Sequence, residues 1–221
     1  MEGPIARWYA RTAACYQTEF RALAGRIAEE TISGARVLEI APGPGYLAIE
    51  LAKRGLHVTG IDISRAFVAI AAGNAGRAGV AADFRHGDAA ALPFEDNSFD
   101  FIVCRAAFKN FSDPAGALAE MHRTLRANGK ALIIDMRRDA SDAAIAETVA
   151  EMRLGPVSRF FNTLIFKHML RKRAYSRESL LRMIAASPFG QGRIDESPMG
   201  FNIWLGKPDT TAPFAPMTAS C

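Results

Sequence analysis

One segment governs what this chain can fold into. Val37-Leu38-Glu39-Ile40 is a short apolar run with one acid in it, Ala41-Pro42-Gly43-Pro44-Gly45 is turn-forming, and an apolar pattern resumes from Tyr46 towards Arg54. A short apolar run bounded by Gly and Pro reads as a buried strand, and the segment after it reads as a helix over 47–54. A strand that passes through a tight turn into a helix opens a strand–helix–strand unit, which implies parallel strands with helices laid against them. The glycines add a functional consequence. Without Cβ atoms they let backbone come close to a ligand, next to the N–H groups that a helix start leaves free.

Two classes of ligand suit such a turn. Gly43-Pro44-Gly45-Tyr46-Leu47-Ala48 fits the dinucleotide fingerprint, which tolerates Ala at its last position. A pyrophosphate, however, is held by backbone N–H donors, and Pro42 and Pro44 have none. S-adenosyl-L-methionine (SAM) has no phosphate; it carries a carboxylate, an ammonium and a sulfonium. A donor-poor loop with a carboxylate, Glu39, in the preceding strand matches that cation better.

The chain then repeats the unit. His57-Val58-Thr59-Gly60-Ile61-Asp62 reads as a second strand ending in an acid, which can accept from both ribose hydroxyls of either cofactor. A third strand begins at Phe84 and ends at Gly87-Asp88, where Asp88 can accept from an adenine amine and Ala89 can offer its N–H to the ring. Ser98 to Arg105 reads as the fourth strand; Leu125-Arg126-Ala127-Asn128-Gly129 closes a helix, and the fifth strand runs on to Asp135. Two further strands are expected, Arg193 to Glu196 and Phe201 to Gly206.

In order, Glu39-Ile40-Ala41-Pro42-Gly43-Pro44-Gly45, Gly60-Ile61-Asp62, Gly87-Asp88-Ala89, Ser98-Phe99-Asp100 and Leu125-Arg126-Ala127-Asn128-Gly129-Lys130 resemble the motifs of the class I SAM-dependent methyltransferases, over 36–136. Within that class the chain is similar to the branch containing the ubiquinone/menaquinone C-methyltransferases. One departure is that Ala41, followed by Pro42, stands where the family has its first loop glycine. The resemblance implies an α/β fold with a doubly wound, mostly parallel, seven-stranded Rossmann-like sheet, an antiparallel last strand and a helical cap. It also implies an enzyme with SAM as cofactor and S-adenosyl-L-homocysteine as product. The cofactor would be bound by Glu39, Ala41, Gly43, Gly45, Asp62, Ile63, Asp88, Ala89 and Arg105.

Composition agrees with one folded domain. A chain of 221 residues that is 49% hydrophobic can bury a substantial core. Cys15, Cys104 and Cys221 are scattered, which points away from a disulfide framework or a metal site and towards a reducing cytoplasm. No apolar run has the length of a membrane span, and Met1-Glu2-Gly3-Pro4 does not begin a signal peptide. Ser64, Asp113 before Pro114, and Ser176 are placed to cap helices, the second of them running to Leu125 with Gly129 as its stop. The expected organisation is an N-terminal helical lid over 1–33, a cofactor domain over 34–207 with a cap inserted at about 137–175, and a loose tail over 208–221.

The two segments outside the cofactor core are expected to choose the substrate. In the first, Tyr16, Phe20, Leu23, Ala24 and Ile27 form a helical stripe that packs on the sheet, while Trp8 and Tyr9 face the site, where aromatic rings suit a sulfonium. In the second, Val157, Phe160, Phe161, Leu164, Ile165, Met169 and Leu170 fall at helical spacing, flanked by Arg159, Lys167, Arg171, Lys172 and Arg173. Such a segment either lays its apolar face over the pocket or lies on a membrane surface or near an anionic substrate; the first is expected here. Trp8, Tyr9, Tyr16, Phe161 and His168 are thus the candidate acceptor-binding residues.

Methyl transfer needs alignment and exclusion of water, and a base only where the acceptor is a neutral O–H, N–H or C–H. Tyr9, Arg105 and Lys109 are the candidates for that role, with Asn110, Asp135 and His168 also near strand ends or in the cap; His122 reads as a partly packed structural residue. Nucleic acid is the main rival substrate. The strand-four end reads Cys104-Arg105-Ala106-Ala107, not the Asn-Pro-Pro-aromatic pattern of base-amine methylation, and there is no Pro-Cys nucleophile pair. A non-catalytic SAM-binding partner subunit is the other alternative, opposed by the intact acids Glu39, Asp62 and Asp88. The expected acceptor is a small, fairly apolar molecule such as a quinone precursor, an aromatic or a thiol.

Overall fold

The computed structural model describes residues 2–3, 6, 9–10, 13, 16–152 and 155–208, with backbone alone at 156 and 157. Trp8 and the expected tail from 209 on lie outside the described residues. Seven strands form one sheet in the order β3-β2-β1-β4-β5-β7-β6: β1 (Arg36–Ile40), β2 (His57–Asp62), β3 (Ala82–His86), β4 (Phe99–Arg105), β5 (Leu125–Met136), β6 (Arg193–Glu196) and β7 (Gly200–Gly206). The pairs β1–β2, β2–β3, β1–β4 and β4–β5 are parallel, and β7 runs antiparallel to both neighbours. The order reverses between β1 and β4, so the crevice where ligands collect opens beyond Ile40 and Arg105.

Strand period two sorts the core into two layers. Val37, Phe101, Val103 and Leu132 face Phe20, Leu23 and Ile27 of α1 (Gln17–Glu29) and Leu47 and Leu51 of α2 (Tyr46–Ala52). Their neighbours Leu38, Ile102 and Ile133 face Leu118 and Met121 of α4 (Pro114–Thr124), after α3 (Arg65–Ala78), and later Leu180 and Ile184 of the helix Arg177–Ala186. The N-terminal stripe therefore packs as its spacing indicates. The caps also form: Ser64 accepts from Phe67 N–H at 3.2 Å, Asp113 from Gly116 at 2.8 Å, and Ser176 from Ser179 at 3.2 Å.

Two boundaries differ from the reading of the sequence. Helix α4 stops at Thr124, and Leu125 already pairs with Phe99. The stretch that looked like a helix end is the start of β5, with a register shift before Lys130 and Asn128 at φ 61° donating to Lys207 O at 2.7 Å. Cross-strand pairing overrides a local stop signal there.

The second difference lies in the cap. It comprises α5 (Asp142–Glu151) and α6 (Pro156–Leu164), which widens into a π-helical segment (Ile165–Leu170) and ends at Arg171–Arg173. From this part of the cap, the side chain that packs against Ile145, Val149 and Met152 is Phe166, alongside Tyr16, Met136 and Met199 from elsewhere, and Phe166 is not in the expected stripe. Phe160 and Phe161 are 61% and 58% exposed, with Leu164 and Met169 at 37% and 46%. The face is not covered as a whole: those four side chains point outward, while Ile165 and Leu170 of the same stripe are half-buried in the π-helical segment, where the 3.6-residue period does not hold. Among the described residues no helix is long and apolar enough to cross a membrane.

Candidate cofactor and acceptor site

The loop after β1 is closed on itself. Ala41 N–H donates to Ile61 O (2.7 Å), Gly43 N–H to Asp62 Oδ2 (3.1 Å) and Gly45 N–H to Pro42 O (3.0 Å). Pro42 and Pro44 have no N–H, so no amide from 41 to 45 is left for an anion. Asn74 braces the loop from α3, donating to Pro44 O at 2.7 Å. Ala41, Gly43 and Gly45 all have positive φ, at 56°, 54° and 77°. A Cβ at Gly45 would stand 2.9 Å from Ala71 Cβ and 3.0 Å from the Phe84 ring, so this glycine is required by packing as well as conformation.

Glu39 lies under that loop, 4% exposed. Its Oε2 is buried with no hydrogen-bond partner among the described residues. Burial pushes its carboxyl up to about 8, against the opposing pull of the Ala48 N–H and the Arg105 charge. A buried acceptor left open is costly in a finished core, and it marks a place where a donor or cation is missing. Asp62, buried at the end of β2, is fixed differently: Oδ2 takes Gly43 N–H and Oδ1 takes Ser64 N–H at 2.8 Å. Burial raises its carboxyl, and those two donors oppose the rise. Each oxygen keeps a second lone pair.

The other expected cofactor residues lie along the same crevice. Ile63 is 66% exposed, Ala89 is buried, and Asp88 is exposed with Oδ1 accepting from Ala90 N–H at 3.0 Å. Tyr9 is half-buried over the loop, its ring edge-on to Phe67 with centroids 5.7 Å apart and its Cε1 3.9 Å from where a Gly43 Cβ would be. Burial raises its hydroxyl, with Arg105 opposing and Asp62 assisting.

Arg105 is an anchor for the N-terminal segment. Its guanidinium meets Glu19 at 2.8 Å and lies over the rings of Phe20 and Tyr16, 4.8 and 6.0 Å from their centroids. Tyr16 packs both on the core under α1 and on the cap's core, against which Phe166 also packs, so one ring joins the N-terminal segment, the sheet and the cap.

Lys109 is not the free base that the sequence allowed. Its Nζ donates to Asp135 Oδ1 at 2.7 Å and to Ala106 O at 2.8 Å, its backbone N–H donates to Asp135 Oδ2 at 2.8 Å, and both side chains are buried. The pair ties the turn after β4 to the end of β5. The Cys104 thiol is fully buried and pushed up by that burial. His122 is edge-on to Phe189 at 5.0 Å, a packed residue. Phe161 and His168 are exposed on the cap; the structure does not bring them to the loop, and Phe166 with Tyr16 holds the inward position instead. A hollow of about 570 Å³ lined by Lys130, Phe189, Arg193 and Trp204 lies at the opposite end of the strands, away from the acids. Among the described residues no cluster of three His, Cys, Asp or Glu side chains is placed to hold a metal.

Comparison with known proteins bears on this geometry. Residues 38–133 match the family described as "Methyltransferase domain". The chain is 37% identical over 111 residues to a demethylmenaquinone methyltransferase of Deinococcus radiodurans, covering 49% of this chain and 46% of that protein. It is 31% identical over 156 residues to a ubiquinone biosynthesis O-methyltransferase of Pseudomonas aeruginosa, covering 69% and 66%. The chain spans about half the length, or less, of the first of these relatives. In fold it superposes on a candidate SAM-dependent methyltransferase from Methanococcus maripaludis with a TM-score of 0.73, at 24% identity over 94% of each chain.

Proposed function

Because residues 38–133 place the chain among the SAM-dependent methyltransferases, we propose that it transfers the methyl group of SAM to a small, fairly apolar acceptor. The observation that carries this reading is the Glu39 Oε2, without a partner among the described residues, beneath a loop with no amide to spare. A cation completes that oxygen; a pyrophosphate would find no donor in the loop. The residues present thus fit SAM. Glu39 would hold the amino-acid end, Asp62 the ribose hydroxyls through its second lone pairs, and Asp88 the adenine amine, with Ile63 an exposed aliphatic face for the ring.

When bound, SAM supplies a methyl group already activated on sulfur. The chain's own part is to position and to keep out water. Tyr9 covers the loop, Tyr16 closes the gap between lid and cap, and Arg105 holds the lid down through Glu19. Among the described residues no unengaged base stands at the ends of β4 and β5: Lys109 is spent on Asp135, and burial disfavours ionising Tyr9. That arrangement supports an acceptor that arrives as its own anion, a thiol or an acidic phenol or quinol, over a neutral amine or carbon acid. The first relative is named for a quinone, demethylmenaquinone, and the second for O-methylation in ubiquinone biosynthesis, both compatible with a small acceptor.

The test uses isotopically labelled SAM with small thiols, phenols and quinols beside tRNA, ribosomal RNA and DNA. Label should enter a small molecule, with a rate that follows ionisation of the acceptor. Incorporation into nucleic acid that vanishes in Asp62→Ala would reverse the assignment, as would calorimetry in which NAD binds and SAM does not.

A further inference from the structure

We infer that the cap docks on an anionic lipid surface, led by α6. The face is uncovered: Phe160, Phe161, Leu164 and Met169 are 61%, 58%, 37% and 46% exposed. Phe160 and Leu164, one helical turn apart, share a face, and Phe161 abuts Phe160 edge-on at 5.8 Å. Isolated exposed apolar residues are ordinary on a protein surface, but a contiguous group on one helix marks an interaction site.

Charge identifies the occupant. The 19 residues from 155 to 173 contain Arg159, Lys167, Arg171, Lys172 and Arg173 and no Asp or Glu. Without those five, the chain's remaining 22 Lys and Arg face 23 Asp and Glu, so the whole of its net +4 resides in this segment. Lys167 and Arg171 are tied to Asp142 at 2.8 Å each, and Arg171 also donates to Ala140 O, which fixes the segment to the cap's base. Arg159, Lys172 and Arg173 are exposed and make no ion pair among the described residues. Exposed aromatic and aliphatic side chains in a segment that also carries unpaired cations suit the boundary between acyl chains and anionic headgroups, where the rings enter hydrocarbon and the cations stay at the phosphates. A second copy of this chain is a poorer occupant, since a two-fold contact would bring the three unpaired cations of each copy to the same interface. Nucleic acid would use the cations but leave Leu164 and Met169 without an apolar partner.

The experiment is co-sedimentation of the whole chain with vesicles of phosphatidylcholine alone or mixed with phosphatidylglycerol. Binding should require phosphatidylglycerol and weaken as salt is raised. Arg159→Glu/Lys172→Glu/Arg173→Glu and, separately, Phe160→Ser/Phe161→Ser should each lower the bound fraction at least about fivefold. Both sets alter exposed side chains, and an unchanged thermal melt confirms that the fold survives. Phe161→Trp gives a second reading that keeps the apolar face: its emission should be quenched by brominated lipid. The proposal is overturned if the unaltered chain binds both vesicle types equally or neither, if Phe161→Trp is not quenched, or if both multiple variants bind as before. It is also overturned if the face proves to join two copies in light scattering, or if tRNA competes for it and binding to tRNA is lost only in the charge variant.

Discussion

Two carboxylates buried in the same sheet, two strands apart, have opposite situations. Asp135 on β5 is complete: its oxygens take the Lys109 ammonium, the Lys109 amide and the Met136 amide, all within 2.8 Å. Glu39 on β1 is incomplete, with Oε2 buried and without a hydrogen-bond partner among the described residues. The difference teaches which part of the crevice is structure and which is site. An acid with its partner built in belongs to the fold. An acid that the fold buries and leaves open costs stability until a ligand supplies the missing charge.

Removing the built-in partner should have the largest effect. Lys109→Met leaves Asp135 buried without its cation, and a chemical melt should show a loss of about 3–5 kcal/mol. A double variant, Lys109→Met with Asp135→Leu, should recover most of it; if Lys109→Met alone melts like the parent, the pair is not the anchor described here.

The open acid should show itself through pH. With the Glu39 carboxyl raised to about 8, its ionised form grows as pH rises towards that value. If binding a cation needs that form, SAM affinity should rise about tenfold per pH unit from pH ~6 to ~8 and then level off. Calorimetry in buffers of different ionisation heat should detect a released proton. Glu39→Gln should abolish the pH dependence that comes from Glu39, leaving that of the ligand's own amine. Without ligand the sign reverses. The folded state holds a proton that the unfolded chain releases above its ordinary value near 4.5, so Glu39 costs stability progressively from there up to about 8. Ligand-free Glu39→Gln should therefore melt higher than the parent at pH ~8, by a smaller margin at pH ~5.

Asp62 sharpens the contrast from between the two extremes, since its donors are present but its second lone pairs take no donor among the described residues. Asp62→Ala should weaken SAM binding by roughly 1.5–3 kcal/mol, measured by calorimetry. The smallest effect is expected on the cap: Phe161→Ala should change global stability by less than about 0.5 kcal/mol in thermal melts, because its ring is largely in solvent.

Much of this was legible in the sequence, for identifiable reasons. Acids at strand ends, caps at Ser64, Asp113 and Ser176, and the prolines that strip the loop of donors are local features, and local chemistry settles them. Lys109 finds its partner 26 residues away, a distance at which spacing says nothing. The beginning of β5 was misread because Asn128-Gly129 carries the same signal in a bulge as at a helix end. Phe166 was missed because a π-helical segment abandons the 3.6-residue period on which the apolar stripe was drawn.

The loop between β1 and α2 has one more consequence. Its amides are already engaged by Ile61, Asp62 and Pro42, and Asn74 holds it from the side. Nothing in it must be ordered, and no internal bond must be exchanged, when a ligand arrives. The entropy lost on association then falls on the ligand and the side chains around the loop, and the loop behaves as a mould cast beforehand.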